Sequence, residues 1–243
     1  MGEAVDRPAF YALRAGGWRD LVTVLHPPYT AWHLSYVAFG AAAAPELHQV
    51  RLWAALGAFF LAVGVAAHAL DELEGHPLRT RLSDRTLVAL AVAGLGGAVA
   101  IGIAGLFVVS ASLAPFVAAG ALMVLAYNLE LFGGRFHTDF WFAAAWGAFP
   151  ALTGFWVNAL SIHVSGLLVV AACFWLSVAQ RRLSTPVREL RRHTASLRGE
   201  QVRRDGEIRR LSIAAVAAPL DGALRALSIA LPLLAVALVV VRL

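Results

Sequence analysis

The chain has 243 residues, 60% of them hydrophobic and only 14% charged, with a mean hydropathy of +0.72. A soluble domain carries roughly a quarter charged residues, so this composition excludes an ordinary water-soluble protein and points to a polytopic membrane protein. The net charge of +5 comes from a chain with no lysine, which excludes lysine Schiff-base chemistry, and the single Cys173 excludes a disulfide framework or a cysteine metal cluster.

Residues 1–25 contain no unbroken apolar core of the signal-peptide kind. Phe10, Leu13, Leu21, Val22 and Leu25 recur near helical spacing between Arg7, Arg14, Arg19 and Asp20. That pattern predicts an amphipathic helix on the inner membrane surface, set apart from a transmembrane helical domain over 26–243. Crossing about 30 Å of hydrocarbon takes about 20 mostly apolar residues. Runs over 29–44, 51–70, 86–108, 113–131, 139–160, 164–180 and 222–241 meet or approach that length. The expected fold is therefore an all-α polytopic bundle of about seven spans. Residues 212–220 are apolar too, but Pro219, Asp221 and Arg225 interrupt the path onward and predict a tilted or interfacial extension. Gly94, Ala98 and Gly102, with Gly147, Pro150 and Gly154, predict close helix approach and an internal cavity.

Arginine sets the orientation. With the N-terminus inside, the inner segments hold Arg7, Arg14, Arg19, Arg79, Arg81, Arg85, Arg135 and ten more in 181–210, leaving Arg51 and Arg242 outside and Arg225 near the last span. The expected location is the cytoplasmic (inner) membrane. The positive charge is thus a topology signal, and no nucleic-acid partner is expected. Segment 181–210 reads as a basic cytoplasmic stretch in contact with anionic lipid headgroups.

This topology gathers the polar residues on one face. The second predicted span ends in "AHALDELEGHPLRTRLSD" (67–84), where His68, Asp71, Glu72 and Gly75 share one helix face. A histidine and two carboxylates there are candidate metal ligands and catalytic groups, directly or through Mg²⁺ on phosphate oxygens. Tyr127, Asn128, Glu130, Arg135, His137 and Asp139 lie at the same level, as do His26, Arg181, Arg182 and Arg188. His33 and Asn158 read as buried polar links between helices.

Three stretches resemble the UbiA superfamily of intramembrane prenyltransferases. They are "HPPYTAWHLSYVAFGAAAAP" (26–45), the 67–84 stretch, and "YNLELFGGRFHTDFWFAAAWGAFPALTG" (127–154). The resemblance spans about residues 20 to 180. It implies a helical bundle whose cytoplasmic cavity binds a prenyl diphosphate through Mg²⁺ on Asp-rich motifs. Asp71 would match the first motif's middle aspartate, His68 and Gly75 its outer two, and Arg79 and Arg81 the neighbouring basic segment. Where the family has a second Asp-rich motif, this chain has "SVAQRRLSTPVRELRR" (177–192), whose Arg181, Arg182 and Arg188 would contact phosphate directly.

The reading that follows is a divergent, shortened UbiA-like transferase acting on a prenyl diphosphate or related isoprenoid lipid. The alternatives are a non-catalytic relative that binds a lipid or protein partner, and a metal-dependent membrane enzyme built on the His and carboxylate set.

Overall fold

A computed structural model describes residues 7–243, almost entirely as helix. The helices are α1 (Trp18–Val24), α2 (Pro27–Ala43), α3 (Gln49–Leu73), α4 (Asp84–Val108), α5 (Ala111–Asn128), α6 (Asp139–Ala159), α7 (Val164–His193) and α8 (Ile213–Arg242). Strands β1 (Gly199–Val202) and β2 (Ile208–Leu211) form an antiparallel hairpin before α8, pairing Gly199 with Leu211 and Val202 with Ile208. Helices α3 to α8 are long and apolar enough to cross a membrane, and the chain is a multi-pass membrane protein. The seven expected spans correspond to these six and to α2, whose 17 residues reach about 26 Å at 1.5 Å per residue.

Helix α2 is the core of the bundle rather than a peripheral span. It packs chiefly on α6 and α8, and Trp32, Tyr36 and Val37 are fully buried. Two glycines make this possible. A Cβ on Gly40 would overlap the backbone of Ala151, and one on Gly154 would overlap the backbone of Val37. Small residues at a helix contact let backbones approach where no hydrophobic force drives association in lipid. Gly94 plays the same part in α4, against the carbonyl of Leu61 in α3.

Pro150 shapes the middle of α6. Lacking an N–H, it cannot bond the carbonyl four residues back, which belongs to Trp146. The helix widens over Ala144–Ala148, and His33 Nδ1 lies 2.8 Å from that freed carbonyl. A carbonyl only accepts, so His33 donates from Nδ1. The expected role of His33 as a polar link between helices holds. Asn158 links helices too, accepting from His48 N at 2.8 Å and donating to Gly154 O at 2.9 Å.

Three expectations change. Of the amphipathic helix predicted over 1–25, residues 1–6 lie outside the described residues, and 7–17 form turns rather than helix. Gly16 and Gly17 adopt φ of 126° and 64°, which halts the helix at α1. Asp20, 2% exposed, accepts from Gly16 N and from Arg81 N and so ties this segment down onto the loop after α3. Second, 212–220 is no separate extension: α8 runs unbroken through Pro219. Its charges are met from the sides, Asp221 by Arg191 and Arg225 by the ring of Phe10. Third, 181–210 is not one soluble stretch. Its first half continues α7 to His193, and the hairpin occupies most of the rest.

Candidate functional site

At the end of the bundle that carries the arginine-rich segments lies an open-mouthed polar cavity with about 150 Å³ of internal space. Every wall has an identifiable source. The first turns of α2 supply Tyr29 and His33, with His26 just before them; α3 supplies His68 and Asp71; the end of α5 supplies Tyr127 and Asn128. Helix α7 contributes Gln180, Arg181, Ser184, Arg188 and Arg192 at helical spacing, and α8 contributes Asp221. Residues 8–11 cover this face. They are held there because Arg191 donates to the carbonyl of Arg7 and Arg192 to that of Pro8.

The cations in this cavity are unequal. Arg181 donates from Nε to Asp139 Oδ1 at 2.8 Å and stacks over Phe142. Arg191 is paired with Asp221, both side chains 10% exposed or less. Arg188 and Arg192 differ: among the described residues neither has a carboxylate within ion-pair distance. Arg188 makes a 3.3 Å bond to Thr185 Oγ1, and Arg192 a 3.5 Å contact with Pro8 O. Both side chains are only half-exposed, one helical turn apart.

A second cluster is built from imidazoles and phenols. The rings of His26 and His68 stack at 4.1 Å and 11°. Tyr11 Oη lies 2.9 Å from His26 Nδ1, while His26 Nε2 is buried with no hydrogen-bond partner among the described residues. Burial, reinforced by His68 and Arg192, holds His26 well below its ordinary value of 6.5, so its imidazole is neutral at physiological pH. Burial also pushes the Tyr11 phenol up. Thr30 donates its one hydroxyl proton to Leu25 O; toward His68 Nδ1, 3.4 Å away, it can therefore only accept. Gln180 Oε1 is likewise buried and unbonded. The cavity thus holds free donors and acceptors that the fold does not use.

The candidate residues divide sharply. Asp71, His68, Tyr127, Asn128, His137 and Arg181 line the cavity. His137 packs its ring on Tyr127 at 4.5 Å and donates from Nδ1 to the Tyr127 carbonyl. Asn128 Nδ2 is committed to Val124 O. Glu72, by contrast, faces away and is fully buried. It accepts from Leu78 N at 2.9 Å, Thr80 N at 3.1 Å and Thr80 Oγ1 at 2.8 Å. Its carboxylate is the clamp of the 75–80 loop, because these backbone donors would otherwise be buried unpaired. The trio His68, Asp71 and Glu72 therefore does not converge, despite sharing a helix face in projection.

Arg79, Arg81, Glu130, Arg135 and Arg182 are exposed and stand outside the cavity, as does Asp139 except through its pair with Arg181. Arg188, expected to meet phosphate, does line it. Gln180, Arg192, Asp221, Tyr11 and Tyr29 were not singled out from the sequence. The signal for the α7 set was present, since 180, 181, 184, 188 and 192 continue one face of the preceding span. Among the described residues no group of three or more His, Cys, Asp or Glu side chains is placed to share a metal ion. No protein-family model, curated protein or solved structure matches this chain.

Proposed function

We propose that this protein holds the phosphate or diphosphate head of an isoprenoid lipid in the polar cavity, whose mouth faces the cytoplasm from the inner membrane. The observation that carries this reading is the pair Arg188 and Arg192. Removing a cation from water is costly unless a counter-charge accompanies it. Two guanidiniums one turn apart, half-buried and, among the described residues, without a carboxylate in ion-pair contact, leave most of that counter-charge to a ligand, Asp71 being the one carboxylate that acts on Arg188 from across the cavity. Guanidinium forks match phosphate oxygens in bidentate geometry. The arginine bias supports the cytoplasmic placement. The hairpin's Arg203, Arg204, Arg209 and Arg210, beside exposed Val202 and Ile208, suit anionic headgroups at the bilayer surface.

Transfer of the prenyl chain, which the UbiA resemblance implies, fits the same site in one form. As a diphosphate leaves, charge develops on its oxygens, and Arg188, Arg192 and Arg181 surround it with donors. In this reading neutral His26, whose Nε2 makes no hydrogen bond among the described residues, takes the proton an acceptor loses. A single Mg²⁺ fits if Asp71 and phosphate oxygens hold it, and it would supply further charge neutralisation. A cluster of ions held by several carboxylates does not fit, because Glu72 is the loop clamp and Asp139 and Asp221 are paired with arginines. That same scarcity favours the second reading, binding without turnover.

The test is the thermal stability of detergent-purified protein against prenyl diphosphates, with Mg²⁺ and with EDTA. A ligand that binds only the folded state raises the melting temperature by mass action. Arg188→Gln should lower affinity about 10- to 100-fold, the range for a lost charge-assisted bond, without lowering the ligand-free melting temperature. Asp71→Ala should remove only the Mg²⁺-dependent part of the shift and any chain transfer. No shift with any donor, in protein shown to be folded, sinks the reading; a shift with no product under any acceptor leaves the binding protein.

A further inference from the structure

A second void lies beside the polar cavity and differs from it in kind. It offers about 140 Å³ of internal space between α3, α4, α5 and α6 and is open on one side. Small residues such as Ala58, Ala62, Ala98, Gly102 and Gly120 leave the room, and only Arg51 and Thr153 among its lining residues carry charged or hydroxyl groups. Two residues belong to both linings, Val63 of α3 and Trp146 of α6. Each sits where its helix departs from α geometry and widens, over Phe60–Ala67 in α3 and Ala144–Ala148 in α6. Such widened turns concentrate at functional positions.

Trp146 is braced rather than loosely packed. The Tyr127 ring meets its indole edge-to-face at 5.6 Å, and His33 bonds its carbonyl. Tyr127 and His33 are themselves residues of the polar cavity. The head site and this partition are therefore mechanically joined.

We propose that Val63 and Trp146 frame the constriction through which the ligand's hydrocarbon tail leaves the polar cavity for the apolar chamber, and that Trp146 restricts the ligand to a single chain. This inference rests on the reading of the polar cavity as a phosphate-head site and specifies the rest of the molecule bound there. Only an amphiphile satisfies both voids at once, since free donors fill one and methyl and methylene groups the other. A constriction bounded by one bulky indole and one valine passes a single chain. A phospholipid with two acyl chains is excluded.

The experiment measures binding of n-alkyl phosphates of increasing length, of a diacyl phosphatidic acid and of inorganic pyrophosphate to purified protein in detergent. Wild type is compared with Ala98→Phe, which fills the chamber away from the polar cavity, and with Trp146→Ala. Micelle partitioning of the longer chains is common to all three proteins and cancels in the comparison. Each buried methylene should raise affinity about fourfold, from its burial free energy of about 0.8 kcal/mol. Ala98→Phe should flatten that rise while pyrophosphate binds as before, which also shows the variant is folded. Trp146→Ala should admit the diacyl lipid that wild type rejects. A rise with chain length that is the same in wild type and Ala98→Phe, with pyrophosphate still bound, overturns the tail path and leaves the head site standing. Failure of both pyrophosphate and every alkyl phosphate to bind wild type overturns the two together.

Discussion

The two ends of the bundle handle polar groups in opposite ways. At the end opposite the cavity the connections between helices are short, and their polar atoms are spent on the fold itself, mostly on backbone. Asn158 takes the His48 N–H, Arg51 donates to Val157 O, Arg242 donates to the carbonyls of Ala44 and Pro45, and Trp156 Nε1 bonds Ser112 Oγ. At the cavity end, some groups are spent in the same manner, as Glu72 and Asp20 show, but others are left over. Among the described residues, Arg188 and Arg192 have no carboxylate in ion-pair contact, and His26 Nε2 and Gln180 Oε1 have no hydrogen-bond partner. A buried polar group left unmade costs stability. One end is closed for stability, and the other keeps a deficit that a ligand can fill.

That contrast is broken most severely by removing a clamp. Glu72→Ala should cost about 3 kcal/mol or more, since it orphans the loop N–H groups of Leu78 and Thr80. It should appear as a large drop in melting temperature or a loss of folded yield. Asp71→Ala, one residue earlier, should leave the ligand-free melting temperature nearly unchanged. Equal losses from both would mean that Asp71 too is structural.

At the far end, Asn158→Ala should cost about 1–2 kcal/mol through the His48 N–H and the lost packing. Its effect belongs to stability alone, so alkyl phosphate or pyrophosphate affinity measured in the same variant should stay at the wild-type value. A change in affinity would show that the ends are coupled.

The smallest effect concerns pH. His26 has a folded-state pKa lowered from 6.5 by burial, with His68 and Arg192 adding to it. Above 6.5 both folded and unfolded imidazoles are neutral and its contribution is whole. As pH falls through 6.5 the unfolded state takes the proton first, so stability declines on the acid side. At about pH 6 the loss from this one group is less than about 1 kcal/mol. Melting curves of wild type and His26→Gln across this range should converge at the acid end, and parallel curves would remove His26 as the cause.

Much of the fold was legible because membrane spans announce themselves through length and apolarity. The predicted ends of α3, α4, α6 and the start of α7 lie within a few residues of those observed. Charged positions were harder to place. Arg191 and Arg192 read only as part of a basic stretch against lipid headgroups, because a cavity-lining arginine and an interfacial one look the same in one dimension. Asp221 and Arg225 suggested a break in α8, yet Arg191 and Phe10, distant in sequence, neutralise them. Glu72 looked equivalent to Asp71 because helical projection gives direction but not what lies there. The loop that folds back onto it decides its role.

The roof of the cavity has a consequence for how the protein is made. Residues 7 and 8 are made long before the arginines that hold their carbonyls, at 191 and 192, and before Asp221, whose ion pair steadies Arg191. A ribosome must therefore reach α8 before the covering segment finds its seat. Until then the two unneutralised guanidiniums have no roof and the covering residues no anchor. Domains of nascent chains can fold as they emerge; this cavity cannot, and any nascent or truncated chain lacking α8 carries parts of the cavity without its Asp221 wall.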